Sequence, residues 1–186
     1  LLRAMHQKTR YNIGLAEKRG VDTQKLQRYD LCNNTEIVSQ KFEAFWKLLQ
    51  TTTVRDGFHM HPREHYETIL STLDAKLSFA EHNGKPLATA LVVFFGTTAY
   101  YLHGASANEY RDVMAPYALH WHIMREAKRR GCTTYDLWGV DEKKWPGVTR
   151  FKQGFVSVTP FVPYAGTYDI PIRKIPYALY RLKKLL

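Results

Sequence analysis

Residues 87–95, Leu-Ala-Thr-Ala-Leu-Val-Val-Phe-Phe, are apolar at both alternating positions, so neither face of an extended segment there can be left in water. Such a strand must lie in the middle of a sheet. Asn83-Gly84 precedes it and Phe95-Gly96 follows it, and Asn-Gly between alternating runs is a strong hairpin signal. Three antiparallel strands are therefore expected over residues 76–81, 86–95 and 98–105, with the second central.

Helical spacing dominates elsewhere. In 36–55, Phe42, Phe45, Trp46 and Leu49 fall at i, i+3, i+4 and i+7, the stripe of an amphipathic helix. A helix over 62–73 opens with Pro62 at its first position and turns Tyr66, Ile69, Leu70 and Leu73 inward. Residues 116–130 carry Leu119, Ile123 and Ala127 beside Tyr117, Trp121 and Met124, and Gly131 closes the helix. A short strand over 135–138 stops at Gly139, which gives a βαβ-like unit. A strand within 24–31, another over 159–164 and the segment 167–170 are expected to complete the sheet. An N-terminal basic helix over 2–19, partly undocked, and an amphipathic helix over 174–186 flank the domain. The fold class is thus α+β, a mostly antiparallel mixed sheet flanked by helices.

The chain has 186 residues, 45% hydrophobic and 13% aromatic, enough for one main domain with a sizeable core. A formal charge of +10 favours anionic partners: nucleic acid, acidic lipid headgroups or a phosphorylated substrate. Cys32 and Cys132 form no CxxC, which speaks against a disulfide framework or a zinc site and fits a reducing, cytoplasmic setting. His59-x-His61-x3-His65 lacks a carboxylate or thiol to complete a metal set, and none is expected. No apolar run approaches the ~20 residues of a membrane span. Leu1 stands where an initiating Met is expected, so the chain reads as part of a longer protein.

Chemistry concentrates after the last short strand. Tyr135-Asp136-Leu137-Trp138-Gly139 is followed by a polar stretch with Pro146-Gly147 as a turn, then by Arg150-Phe151-Lys152-Gln153-Gly154-Phe155. Phe151 and Phe155 would bury their rings and hold the Lys152 ammonium beside apolar surface, where a cation attracts an oxyanion or phosphate more strongly than in water. Asp136 is the one candidate for a general base, and its strand position favours a structural role.

This pair of motifs resembles the signature of the Fem-type aminoacyltransferases. Other matches stand in order along nearly the whole chain: Lys8-Thr9-Arg10-Tyr11-Asn12-Ile13, Arg55-Asp56-Gly57-Phe58 with Pro62-Arg63 and Tyr66, and His103-Gly104-Ala105-Ser106 before Ala115-Pro116-Tyr117. The resemblance implies a GNAT-like fold over 21–170, with 1–20 leading out of a first domain and 171–186 packing back on it. The implied activity moves an amino acid from aminoacyl-tRNA to the stem-peptide amine of a peptidoglycan precursor, lipid-linked or nucleotide-linked. It implies no cofactor.

By that resemblance Lys152 and Phe151 are catalytic, and His61, Arg63, Tyr101, His103 and Tyr117 bind the precursor. Arg150, Lys143, Lys144, Lys8 and Arg10 would meet tRNA phosphates. Some family members carry an arginine where His61 falls, so Arg63 or a protonated His61 is expected to take its role. The alternatives are an acyl-CoA N-acyltransferase and a non-catalytic basic module on RNA or a membrane surface. The final helix also has the pattern of an interfacial helix, so the inner face of the membrane is a second placement.

Against coenzyme A stands residue order. GNAT enzymes cradle its pyrophosphate on bare backbone N–H groups of a glycine-rich turn before the helix. Here that turn reads Arg111-Asp112-Val113-Met114-Ala115-Pro116, with Met at the first glycine position and a proline that has no N–H.

Overall fold

A computed structural model describes residues 1–23, 27–28, 36–156, 162 and 168–183. Its elements are α1 (Gln7–Lys18), β1 (Val21–Thr23), β2 (Gln27–Arg28), α2 (Glu36–Asp56), α3 (Arg63–Thr72), β3 (Ala75–His82), β4 (Lys85–Phe95), β5 (Thr98–Ser106), α4 (Ala115–Arg129), β6 (Thr134–Asp136), α5 (Pro146–Gln153) and α6 (Lys174–Lys183). The sheet order is β1-β3-β4-β5-β6, with β2 also on β3. Every pairing is antiparallel except β5 with β6.

The apolar strand is central, as its composition demands. Ala88, Ala90, Val92 and Phe94 of β4 pack on Ala118, Leu119 and Ile123 of α4. On the other face, Leu91 and Val93 meet Phe42, Phe45 and Leu49 of α2 and Tyr66 and Leu70 of α3. Each large side chain so buried contributes about 1.5–3 kcal/mol. Asn83 and Gly84 both take positive φ, 52° and 74°, as a two-residue hairpin between His82 and Lys85 requires.

In the β4–β5 ladder Leu91 pairs with His103 but Val92 with Tyr101, so Leu102 is an extra residue. This bulge brings Tyr101 and Gly104 to one face. The Tyr101 ring lies over Gly104 so closely that a Cβ there would stand 1.7 Å from its hydroxyl oxygen.

The N-terminal helix is docked, contrary to the sequence expectation. Thr9, Asn12, Ile13 and Ala16 are buried, and Met5 and Ile13 join Met124 and Phe155 in a third apolar cluster. Its basic residues share only the outer face, so the inner stripe packs normally. The His6 N–H donates to the Gly154 carbonyl at 2.9 Å, and a Cβ on Gly154 would meet the Thr9 hydroxyl at 2.3 Å.

Other expectations are corrected. Pro146-Gly147 opens α5 instead of making an isolated turn, because proline's fixed φ suits the first position of a helix equally well. Pro62 is the residue before α3, and Leu73 is extended and 47% exposed, because α3 ends at Thr72 and the chain turns directly into β3. Residues 168–170 are exposed and irregular, with no strand, since no described strand pairs with them. Residues 159–161, 163–164 and 167, and most of 24–31, lie outside the described residues. Helix α6 has no buried side chain: Ile175, Leu179 and Leu182 are all exposed.

Gly104→Ala is expected to cost about 1–3 kcal/mol in urea denaturation, the usual penalty of overpacking. On a Tyr101→Ala background the same change should cost much less, and equal costs in both backgrounds would contradict the close approach.

Candidate active site

The parallel pairing of β5 and β6 runs from Thr98–Thr134 to Tyr100–Asp136, where β6 ends while β5 continues to Ser106. The strands part at Tyr101. Trp138, in the left-handed region at φ 62°, donates its N–H to the Asp136 carboxylate at 2.7 Å and turns the chain away. Asp136 is thereby occupied as a structural acceptor.

Helix α5 delivers Lys152 into this opening. The side chain is 9% exposed, and its ammonium donates to the Gly139 carbonyl at 2.7 Å. The charge sits 5.7 Å from the centre of the Tyr101 ring, within cation–π range. Among the described residues Gly139 is its one hydrogen-bond partner, which leaves two N–H donors for a ligand. Burial lowers its pKa to about 8, and the Asp136 charge opposes that shift.

A cluster of aromatic rings adjoins the lysine through Tyr101. Phe151 packs edge-on against Tyr117 at 5.0 Å and Phe155 at 5.2 Å between ring centres. His120, 1% exposed, contacts Tyr101 at 4.5 Å, Phe151 at 5.3 Å and Phe155 at 5.1 Å, and shares a hydrogen bond of 2.9 Å with the Tyr135 hydroxyl. Burial, then the Lys152 charge, pushes His120 down to about 3, so it is neutral at any ordinary pH. Burial lifts Tyr101 to about 12 and Tyr135 well above the usual phenol value, so both stay protonated. The site thus holds one cation among neutral rings.

Of the sequence-nominated residues, Lys152, Phe151, Tyr101 and Tyr117 come together here. Sequence reasoning missed His120 and Tyr135. Their signals were a histidine set among apolar positions of the 116–130 helix and an alternation that turns Tyr135 inward with Leu137.

His61 and His103 lie on the opposite face of the sheet, against α3. The bulge sends His103 to 4.9 Å from Tyr66, with His61 and His65 at 6.0 and 5.9 Å. Burial, then His65 and His61, holds His103 down near 4. Among the described residues no group of side chains is arranged to hold a metal ion. Arg63 pairs with Glu43 at 2.7 Å and Glu67 at 2.9 Å and stacks on Phe42 at 4.6 Å, so its charge is already matched.

Lys143, Lys144 and Arg150 are exposed on the turn and helix that lead to Lys152, and Asp141 organises the turn by accepting the Lys143 and Lys144 N–H groups at 3.0 and 2.9 Å. Lys8 and Arg10 are exposed on α1. The turn before α4 spends its amides internally: Val113 on Tyr110, Met114 on Arg111, and Tyr117 on Met114. Met114 itself takes φ 61°.

Lys152 gives a pH signature independent of activity. Its folded pKa, about 8, lies below the unfolded value of 10.5, so the unfolded chain binds more protons between these values. Stability should therefore rise with pH across that window, and the rise should be smaller in Lys152→Met; parallel stability–pH curves for the two proteins would contradict the buried ammonium.

The FemAB family profile matches residues 1–83 and 73–184. Curated relatives include lipid II:glycine glycyltransferases of Staphylococcus epidermidis, 41% identical over 66 residues that are 36% of this chain and 16% of the relative. Those of Staphylococcus aureus are 44% identical over 62 residues, 33% of this chain and 15% of the relative. The aligned stretch is thus a small part of the relatives' length. Among solved structures, FemX superposes with a TM-score of 0.70 at 21% identity, over 83% of this chain and 54% of that one. An aminoglycoside acetyltransferase from a soil metagenomic sample gives 0.58 at 12% identity, over 82% and 99%. These likenesses identify the fold as GNAT-like, with a mixed sheet between helical layers. Because the family profile runs over almost the whole sequence, the chain belongs to the FemAB family.

Proposed function

We propose that this chain carries the acyl-transfer site of an aminoacyltransferase that extends the stem peptide of a peptidoglycan precursor, taking the amino acid from aminoacyl-tRNA. The observation that carries this reading is the buried Lys152 ammonium, held by the Gly139 carbonyl at 2.7 Å where β5 and β6 separate. The glycyltransferase relatives named for lipid II support the precursor as acceptor.

In the reaction, the acceptor amine attacks the ester carbonyl carbon of the donor. A C–N bond forms, the bond between the acyl carbon and the ribose oxygen breaks, and a proton passes from the amine to the departing ribose oxygen. The two open N–H donors of Lys152 face the oxygen that gains negative charge, and such a donor contributes about 3 kcal/mol. A free amine and an activated ester need little base assistance, which suits a site whose histidine is held neutral and whose nearest carboxylate is tied to Trp138.

Phe151 and Tyr117 form the wall that positions the acyl group, and Tyr101 forms the floor beneath the ammonium. His61 and His103 would line the acceptor's approach from the α3 face through the gap between β5 and β6, and Arg63 would have to exchange a carboxylate partner to meet a precursor phosphate. Lys143, Lys144 and Arg150 at the mouth, with Lys8 and Arg10 on α1, would meet donor phosphates. The internally used amides before α4 and the absent Pro116 N–H favour a donor held by its RNA over a pyrophosphate cradle. The exposed stripe of α6 would pack on a first domain in the complete enzyme, and that enzyme would work in the cytoplasm, beside the membrane when the acceptor is lipid-linked.

Lys152→Met in the complete enzyme should lower transfer from charged tRNA to precursor by roughly a hundredfold or more below pH 8, with the fold intact. The gap should narrow as pH rises and the wild-type ammonium is lost; near-normal turnover in the mutant would refute the assignment. Binding of tRNA should weaken steeply with salt, because phosphate contacts release counterions. Salt-independent binding would remove the basic mouth from the account.

A further inference from the structure

Trp138 holds a backbone conformation that its burial does not explain. Its φ of 62° lies in the left-handed region, which a bulky side chain adopts only under strain, and Gly139, which would adopt it freely, is the next residue. Burial does not offset that strain, because the residue is 51% exposed. The geometry is nonetheless enforced: the Trp138 N–H is held by Asp136 at 2.7 Å, and the indole meets Tyr100 edge-on, 6.3 Å between centres at 83°. Among the described residues no cation is stacked on this indole, whereas Lys144 covers the ring of Trp145 at 4.6 Å. A strained, exposed aromatic residue next to a site is the pattern of a ligand contact.

We infer that Trp138 is a stacking platform for the nucleobase of the acyl donor, an adenine held on the Tyr100 side of the gap where β5 and β6 part. The chain connection supports the placement, since the carbonyl of the very next residue, Gly139, accepts the Lys152 ammonium. A base stacked on the indole fixes the sugar beside it, and with it the acyl ester, relative to that ammonium. Stacking needs only a π-face, so it supplies affinity without hydrogen-bond readout. The identification of the base as part of a donor rests on the aminoacyl-transfer reading above. Adenine itself could come from the 3′ end of an RNA or from coenzyme A, and the two sources can be tested separately.

The test measures binding of a 5′-phosphorylated CCA trinucleotide, the same trinucleotide with an abasic 3′ end, and coenzyme A to the 186-residue chain. Wild type, Trp138→Phe and Trp138→Gly are compared by calorimetry, with thermal unfolding recorded alongside. The trinucleotide should bind roughly tenfold or more weakly to Trp138→Gly and to nearly the same extent to Trp138→Phe, and loss of the 3′ base should weaken wild type as much as the glycine substitution does. Trp138→Gly should unfold at the same temperature or higher, since glycine relieves the backbone.

Unchanged trinucleotide affinity in Trp138→Gly would overturn the platform and leave the RNA donor standing. Coenzyme A binding that depends on Trp138, with no trinucleotide binding, would uphold the platform and overturn the RNA donor. Failure of wild type to bind either ligand would overturn the platform, and a marked fall in the unfolding temperature of Trp138→Gly would overturn it by making Trp138 a structural residue.

Discussion

Both faces of β4 have to be kept dry, and most of the architecture follows from that. Its alternate side chains need two separate helical layers, α4 on one side and α2 with α3 on the other. A hairpin on each side supplies β3 and β5, and the crossover through α4 returns β6 parallel to β5. The sheet cannot close against β6 for long, because β6 is only Thr134–Asp136 while β5 runs on to Ser106. The site is a consequence of this mismatch in length.

Inside the opening the electrostatics are simple. One ammonium is desolvated among Tyr101, Tyr117, His120, Tyr135, Phe151 and Phe155, and each of the titratable rings whose pKa is perturbed is pushed toward its neutral form. The Lys152 charge is part of what keeps His120 uncharged. A cation so desolvated would attract an oxyanion more strongly than it could in water, with Asp136 as a competing charge.

Much of this could be read from the sequence because it depends on local pattern. The double-sided run at 87–95, the Asn83-Gly84 turn and the apolar face of 116–130 each declare their element through spacing alone. The Lys152 environment was legible for the same reason, with phenylalanines one before and three after it. What escaped depends on contacts between distant segments. The extra residue Leu102, which separates Tyr101 from His103 onto opposite faces, appears only when β5 is laid against β4. The meeting of His120 with Tyr135 needs α4 and β6 in register, and Pro146-Gly147 is ambiguous because proline serves a turn and a helix start alike. The closing segments expected after Phe155 fall largely outside the described residues.

The small residue in Phe-Lys-x-Gly-Phe has a reason unrelated to backbone freedom. Gly154 sits at φ −60°, which any residue can adopt, yet the Thr9 hydroxyl fills the space a side chain would need. The N-terminal helix therefore acts as a spacer that sets how far α5 can retreat from the sheet. A single added methyl at position 154 would act like a thicker shim against Thr9, tilting α5 and withdrawing the amine it carries.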